Sequence, residues 1–354
     1  MTSSDRGRQS NMKSFIILFS VMLFLVVVNV FLRTYSLGSE ILTRPVRLEI
    51  RTPGSPTPTV WASDGRLDRI RRACATYRRN PTLRRRLELD DGQPLKSLLA
   101  ASFLIADDRH RVIYCSIPKV GCSTFKLLMA RSLNGSGASV GAVHIRPLLA
   151  SIGLYYLNTL SPDGIRQRLE GYFKFLVVRH PFDRLISAYA DKMANPERNM
   201  MNVSRIRRRA EARFRNRMRR DSNGQPLLSL SQFLELVGSD RKFLDKHWMS
   251  YMLLCQPCRV RYDHVIRLET LGNDIGPILD RLNYATVDAE SKNRIPRENS
   301  ARMTDNKLDE VFHRLGKINP DIVKNLLNVY RYDLDTFGYT WNSSSGAGYV
   351  DVLN

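Results

Sequence analysis

The stretch Ser116-Ile-Pro-Lys-Val-Gly-Cys-Ser-Thr-Phe-Lys126 joins a short apolar run, Arg111 to Ser116, to an apolar-periodic segment that starts near Thr124. Read as strand, turn and helix, it puts a lysine, a glycine and two adjacent hydroxyls at a helix opening. Such an opening presents unpaired N–H groups and the positive end of the helix dipole, and glycine lets the chain approach a ligand closely. Lys119 adds a point charge, and Ser123 and Thr124 add short donors, so the stretch reads as a cradle for phosphate or an isosteric group. It is not a Walker A loop, because Lys119 precedes the glycine instead of following it. The plainer alternative is an ordinary strand-to-helix turn with a solvated lysine and a hydroxyl cap.

A second unit repeats the pattern. Tyr172 to Val178 (YFKFLVV) is a continuous apolar run of the kind found in buried parallel strands. It ends in a basic turn and a helical segment, Arg179 to Lys192, with Pro181 where a first helical turn tolerates it and Ser187 further in. The alternation of apolar and helical segments from about Leu95 predicts an α/β domain. Two strands then deliver cationic helix openings to one sheet edge, where α/β folds bind ligands. A nucleoside with phosphates at both ends fits such a pair, and nucleotide sulfate donors have that shape.

Of the 354 residues, 55 are Lys or Arg and 34 Asp or Glu, and the resulting charge of +21 calls for a polyanionic partner. Nucleic acid, an acidic membrane face and an acidic polysaccharide all qualify on charge. Phe15 to Leu32 is eighteen residues without a charge, long enough to span a bilayer, and no small-residue cleavage site follows it. Basic residues flank the span on both sides, so charge does not orient it. Three sequons, at Asn134, Asn202 and Asn342, place the bulk of the chain in a lumen, which argues against nucleic acid. Five cysteines suit an oxidising compartment and leave an odd thiol, with the pairing open. The expected organisation is a cytoplasmic tail (1–14), a signal-anchor (15–32), a stem rich in Pro, Thr and Arg (33–95) with short helices near Leu67 to Leu89, a catalytic domain (96–341) and a C-terminal tail (342–354).

Three motifs, IPKVGCSTFK, VVRHPFDRLISAYADK and HWMSYMLLCQPCRVRYDHVIRLETL (His247 to Leu271), carry a family resemblance by their order and spacing. From about Leu104 to Trp341 the chain resembles the Golgi carbohydrate sulfotransferases of the group containing the chondroitin and dermatan 4-O-sulfotransferases and the HNK-1 sulfotransferase. The resemblance implies a single P-loop-like α/β sulfotransferase domain with a central parallel sheet, behind an N-terminal transmembrane helix and stem. It implies a type II Golgi membrane enzyme with a lumenal catalytic domain. Such an enzyme moves a sulfuryl group from 3′-phosphoadenylyl sulfate to a sugar hydroxyl on an acidic glycan. The nearest acceptor is the 4-hydroxyl of N-acetylgalactosamine in chondroitin or dermatan, with the 3-hydroxyl of a terminal glucuronate as the rival. A non-catalytic polyanion-binding membrane protein of the same fold is the alternative from another class.

By position, the resemblance assigns Lys119, Val120, Gly121, Cys122, Ser123, Thr124 and Phe125 to the 5′-phosphosulfate. It assigns Arg179, His180, Pro181, Phe182, Asp183, Arg184, Leu185, Ile186 and Ser187 to the 3′-phosphate. The chain departs from the family pattern at Thr124 and Phe125, where Asn and Trp are common. Thr keeps a hydrogen-bonding side chain and Phe an aromatic face.

Sulfuryl transfer needs in-line positioning, neutralisation of the leaving phosphate and removal of the acceptor's proton. Lys119 is the candidate for stabilising the leaving group. For the proton, histidine has the pKa nearest working pH; His144, which lies between the two donor motifs, is favoured over His247. His180 is set aside because the resembling sequences often carry Glu there. No metal is required, and no carboxylate cluster is spaced to hold one. Cys255-Gln-Pro-Cys258 reads as a participant in structural disulfides, with a redox pair or half a zinc site as alternatives. Arg205 to Arg220, with nine arginines, is either a solvated, partly helical face or a docking track for an acidic polysaccharide.

Overall fold

A computed structural model describes residues 65–87, 89, 103–134, 139, 141–194, 199–240, 243–284 and 319–340. The expected anchor, Asn342, and the side chains of Asn134 and Asn202 lie outside the described residues. Among the described residues no helix is long and apolar enough to cross a membrane.

In chain order the elements used below are α1 (Arg66–Arg79), β1 (Leu104–Asp107), β2 (Val112–Cys115), α2 (Cys122–Asn134), α3 (Arg146–Ser151), β3 (Leu154–Tyr156), α4 (Pro162–Gly171), β4 (Phe173–Val178), α5 (Pro181–Lys192) and α6 (Ser204–Phe214). They continue with the small hairpin of β5 (Arg219–Arg220) and β6 (Pro226–Leu227), then α7 (Leu230–Ser239), β7 (His264–Arg267) and α8 (Pro320–Phe337). The main sheet has the order β3-β1-β2-β4-β7. Strands β2, β4 and β7 are mutually parallel, whereas β1 runs antiparallel to both β2 and β3.

The expected central parallel sheet is mostly parallel: β3, β2, β4 and β7 run one way, and β1 runs against them. The physical reason lies in Asp108 to Arg111, which alone separate β1 from β2; a parallel return needs a crossover of a dozen residues or so. Asp107 fixes that turn: its carboxylate accepts from the His110 N–H at 3.0 Å and bonds His110 Nδ1 at 2.6 Å. The expected strands and helices are present, with β4 starting at Phe173 and α2 opening at Cys122.

The parallel half is covered by side chains from above. Tyr114 of β2 stacks on Phe175 of β4 at 4.9 Å, and Phe125 of α2 lies over Tyr114 at 5.5 Å. Phe125 is 1% exposed, and burial of such a ring contributes about 2–3 kcal/mol. That layer seats α2 on β2 and β4, and so fixes where its N-terminus points.

Both cysteines of Cys255-Gln-Pro-Cys258 are in disulfides, as the structural reading expected, but with different partners. Cys255 bonds Cys115 at the end of β2, and Cys258 bonds Cys74 of α1. Helix α1, which lies in the expected stem, is held to the domain further by Arg66 to Asp274 at 2.6 Å, by Arg78 to the Cys258 carbonyl at 2.6 Å, and by the Tyr77 hydroxyl donating to Asp335.

Candidate active site

The chain leaves β2 and reverses through two residues of positive φ, Lys119 (+74°) and Gly121 (+81°). A Cβ at Gly121 would meet nothing nearer than Leu268 at 3.6 Å, so the backbone angle, not crowding, calls for glycine. A lysine at positive φ is strained, and strain of this kind concentrates where a loop must be aimed. Between the two, Val120 is fully buried and pins the loop to the core. Hydrogen bonding within α2 begins with Phe125 donating to the Gly121 carbonyl at 3.1 Å. The N–H groups of Cys122 and Ser123, ahead of that bond, have no partner within the helix, as an anion cradle needs.

Lys119 Nζ lies 3.1 Å from Asp191 Oδ2, and Lys192 Nζ lies 3.2 Å from the same oxygen. Burial pushes the Lys119 pKa down, and Asp191 pulls it back. The last turn of α5 thus supplies the counter-charge of the loop that opens α2.

The second opening follows β4. Its strand is the parallel neighbour of β2, so both helix openings sit at the carboxyl end of the sheet. Arg179 is half-buried, and among the described residues its guanidinium makes no hydrogen bond or ion pair. The Ser187 hydroxyl is likewise without a described partner. His180 caps α5: its Nδ1 accepts from the Phe182 N–H at 3.3 Å, and burial lowers its pKa to about 4. Pro181, Phe182, Leu185 and Ile186 are core residues. Arg184 is 1% exposed, and its guanidinium donates to the carbonyls of Pro118 (3.0 Å), Met249 (2.6 Å) and Lys246 (2.9 Å). Within the second motif, then, Arg179 and Ser187 offer open polar groups, while Arg184 is occupied in holding the first loop.

The third motif is the scaffold for the second. Tyr251 Oη accepts from the Arg179 N–H at 3.1 Å and donates to the Arg179 carbonyl at 2.8 Å. Glu269 accepts the His180 N–H at 2.7 Å. Asp333 of α8, fully buried, accepts from Ser250 Oγ at 2.7 Å and from the Tyr251 and Met252 N–H groups at 3.1 and 3.2 Å. Burial raises the Asp333 pKa to about 6 against the pull of those bonds.

Both candidate bases are placed by specific contacts. His144, exposed at the end of a short 3-10 turn, bonds Ser123 Oγ through Nε2 at 2.9 Å, which joins it to the first loop. His247 bonds Asp245 Oδ1 through Nδ1, a pairing that orients the imidazole. Burial lowers the His247 pKa, and Asp245 partly offsets that. Asp191, Asp245, Tyr251 and Glu269 carry the geometry but were not singled out from the sequence. Asp245 was within reach, since it stands two residues before His247.

Of the nine arginines between Arg205 and Arg220, three are ion-paired: Arg207 with Glu211 (2.9 Å), Arg209 with Asp240 (2.6 Å) and Arg213 with Glu235 (2.8 Å). Arg205, Arg208, Arg215 and Arg219 are exposed, and their side chains make no hydrogen bond or ion pair among the described residues. Cys122 is the one cysteine outside a disulfide. Among the described residues no group of three or more His, Cys, Asp or Glu is placed to hold a metal.

Two cationic helix openings at the carboxyl edge of parallel strands define a class, an α/β domain that presents two adjacent cationic turns at one sheet edge. Residues 102–340 match the sulfotransferase family, and the chain belongs to that family. It is similar to carbohydrate sulfotransferase 14 of Danio rerio, 31% identical over 247 residues, which are 70% of this chain and 64% of that protein. Carbohydrate sulfotransferase 14 of Homo sapiens is 36% identical over 181 residues, 50% of this chain and 46% of that protein. Carbohydrate sulfotransferase 10 of Xenopus laevis is 30% identical over 255 residues, 67% of each chain. The chain thus spans between about half and two thirds of the length of these relatives. No solved structure matches it.

Proposed function

We propose that the protein is a carbohydrate sulfotransferase that uses 3′-phosphoadenylyl sulfate as donor. The observation that carries this reading is the pairing of the Lys119 loop and the Arg179 turn on neighbouring parallel strands. The residues fit such a donor: the first turn of α2 with Lys119 suits the phosphosulfate end, and Arg179 with the Ser187 hydroxyl suits the 3′-phosphate. The donor supplies the sulfuryl group. Lys119 is set to neutralise the phosphate oxygen that gains charge as the sulfur leaves it. His144, bonded to Ser123 of the same loop, is positioned to take the acceptor's proton, with His247 as the second candidate.

The acceptor we propose is an acidic glycan, with the 4-hydroxyl of N-acetylgalactosamine in chondroitin or dermatan as the target. The net charge of +21 and the unpaired arginines beyond α5 support a polyanionic chain. A Golgi membrane location, with Phe15 to Leu32 as the anchor and the domain lumenal, completes the proposal; glycosylation at Asn134, Asn202 and Asn342 belongs to it. The test is transfer of labelled sulfate from the donor across a panel of desulfated chondroitin, desulfated dermatan and glucuronate-terminated acceptors. Labelled N-acetylgalactosamine 4-sulfate is the expected product. Donor binding without transfer to any acceptor would leave the non-catalytic, polyanion-binding alternative standing.

A further inference from the structure

A second cationic pair lies beside the first loop and is absent from the donor assignment. Lys126 of α2 is nearly buried, 6% exposed, with Nζ 6.0 Å from the centre of the Tyr156 ring. Arg146, the first residue of α3, is exposed and holds its guanidinium 4.2 Å from the centre of the same ring. Among the described residues neither side chain makes a hydrogen bond or an ion pair, and no carboxylate answers them. Two like charges sharing one aromatic ring repel, and a nearly buried ammonium without a counter-ion is costly. An arrangement of this kind is relieved when an anion enters it. The cation–π contact meanwhile fixes the guanidinium in advance and lowers the ordering cost of binding.

Place decides which anion. Arg146 is two residues after His144, whose Nε2 is on Ser123, so the pair lies where an acceptor sugar approaches and not where the nucleotide is gripped at Arg179. Ile145 and Leu148, 50% and 46% exposed, flank Arg146 and offer apolar contact to the C–H face of a pyranose. A planar guanidinium matches a carboxylate through two parallel hydrogen bonds, and an ammonium on the same ring adds charge. We propose that Lys126 and Arg146, gathered over Tyr156, form a carboxylate subsite that holds an acidic sugar of the acceptor next to the residue to be sulfated. This rests on the reading of the chain as a carbohydrate sulfotransferase.

The test compares desulfated chondroitin with the same polymer after its uronate carboxyls have been reduced to alcohols. The full-length protein is expected to favour the native polymer in kcat/KM by roughly tenfold or more, the scale of one charge-assisted contact. Arg146→Gln, at an exposed position that does not threaten the fold, should collapse that ratio towards one. Lys126→Gln should do the same, with its melting temperature measured alongside. Affinity for adenosine 3′,5′-bisphosphate should be unchanged in both variants. Equal loss on the native and reduced polymers, or weakened nucleotide binding, would overturn the subsite. Should the wild-type protein sulfate neither polymer, the functional reading fails separately. Calorimetric binding of a chondroitin hexasaccharide and its carboxyl-reduced form then decides the subsite: tighter binding of the native form, lost in Arg146→Gln, supports it, and equal binding overturns it.

Discussion

Arg184 Nε donates to the Pro118 carbonyl at 3.0 Å, so a side chain of α5 carries the residue directly before the first loop's reversal. The other two bonds of the same guanidinium reach Met249 in the third motif and Lys246 directly before it, and all three acceptors are main-chain carbonyls. Arg184→Ala would strand these carbonyls in a site that is 1% exposed, at a cost of about 3 kcal/mol or more. The expected outcome is a lower melting temperature together with weaker nucleotide binding, although Arg184 touches no phosphate in the proposed site. Unchanged nucleotide affinity in a folded variant would separate the loop from this support.

Arg179 and Lys119 should fail in different ways. Arg179→Ala removes a guanidinium that has no described partner of its own and should weaken binding of adenosine 3′,5′-bisphosphate by roughly ten- to a hundredfold. Lys119→Ala should chiefly lower turnover, since its contact strengthens as the leaving phosphate gains charge. Calorimetry and initial rates on both variants check the split; wild-type values in both would remove the assignment.

For the base, His144→Ala should lower turnover about a hundredfold or more while leaving nucleotide binding intact. His247→Ala provides the contrast. An imidazole accepts a proton only when neutral, and burial holds His247 below its ordinary pKa. If His247 were the base, the acid limb of kcat/KM would lie below pH ~6.5 and move lower still with Asp245→Asn, which removes the carboxylate that raises the His247 pKa. Retained turnover in His144→Ala with loss in His247→Ala would transfer the role.

Two buried groups should tilt stability in opposite directions with pH. The His180 pKa falls to about 4 in the fold, so stability is lost as pH drops from its unfolded value towards 4, because the unfolded chain takes up the proton first. Asp333 rises to about 6, so its contribution is fully present below its unfolded pKa and lost as pH climbs through 6. His180→Gln should therefore flatten the acid side of a melting-temperature profile between pH 6.5 and 4, and a profile unchanged by the substitution would contradict the assignment.

The arginine run divides by its pairing. Replacing the exposed, unpaired Arg205, Arg208, Arg215 and Arg219 with Gln should raise the apparent KM for long chondroitin chains and reduce its salt dependence, with little effect on short oligosaccharides. Replacing the ion-paired Arg207, Arg209 and Arg213 should lower stability instead, by a few tenths to about 1 kcal/mol each. Equal effects on long and short acceptors would make the face a solvated surface and nothing more.

Both strand-turn-helix units are legible in the chain because each couples an apolar run to a charged helix opening, and those local signals survive folding. Strand β1 is not, since Leu-Ile-Ala-Asp is too short to show a period and its pairing depends on the His110–Asp107 turn. Arg184 is assigned to the 3′-phosphate by the resemblance alone, yet its environment is decided by carbonyls far away in sequence. Cysteine partners separated by 140 and 184 residues are a tertiary fact, beyond any spacing rule.

The two disulfides also make a mechanical circuit. Cys258 is fastened to α1 and Cys255, three residues earlier, to Cys115, the residue directly before Ser116. A pull applied at α1 is thus delivered along covalent bonds into the middle of the sheet, and tension cannot peel that helix away while the sulfur links are intact. Cutting the Cys74 link turns a strap into a hinge: the same pull would then be resisted by hydrogen bonds, ion pairs and side-chain packing, which yield at far smaller forces than a bond.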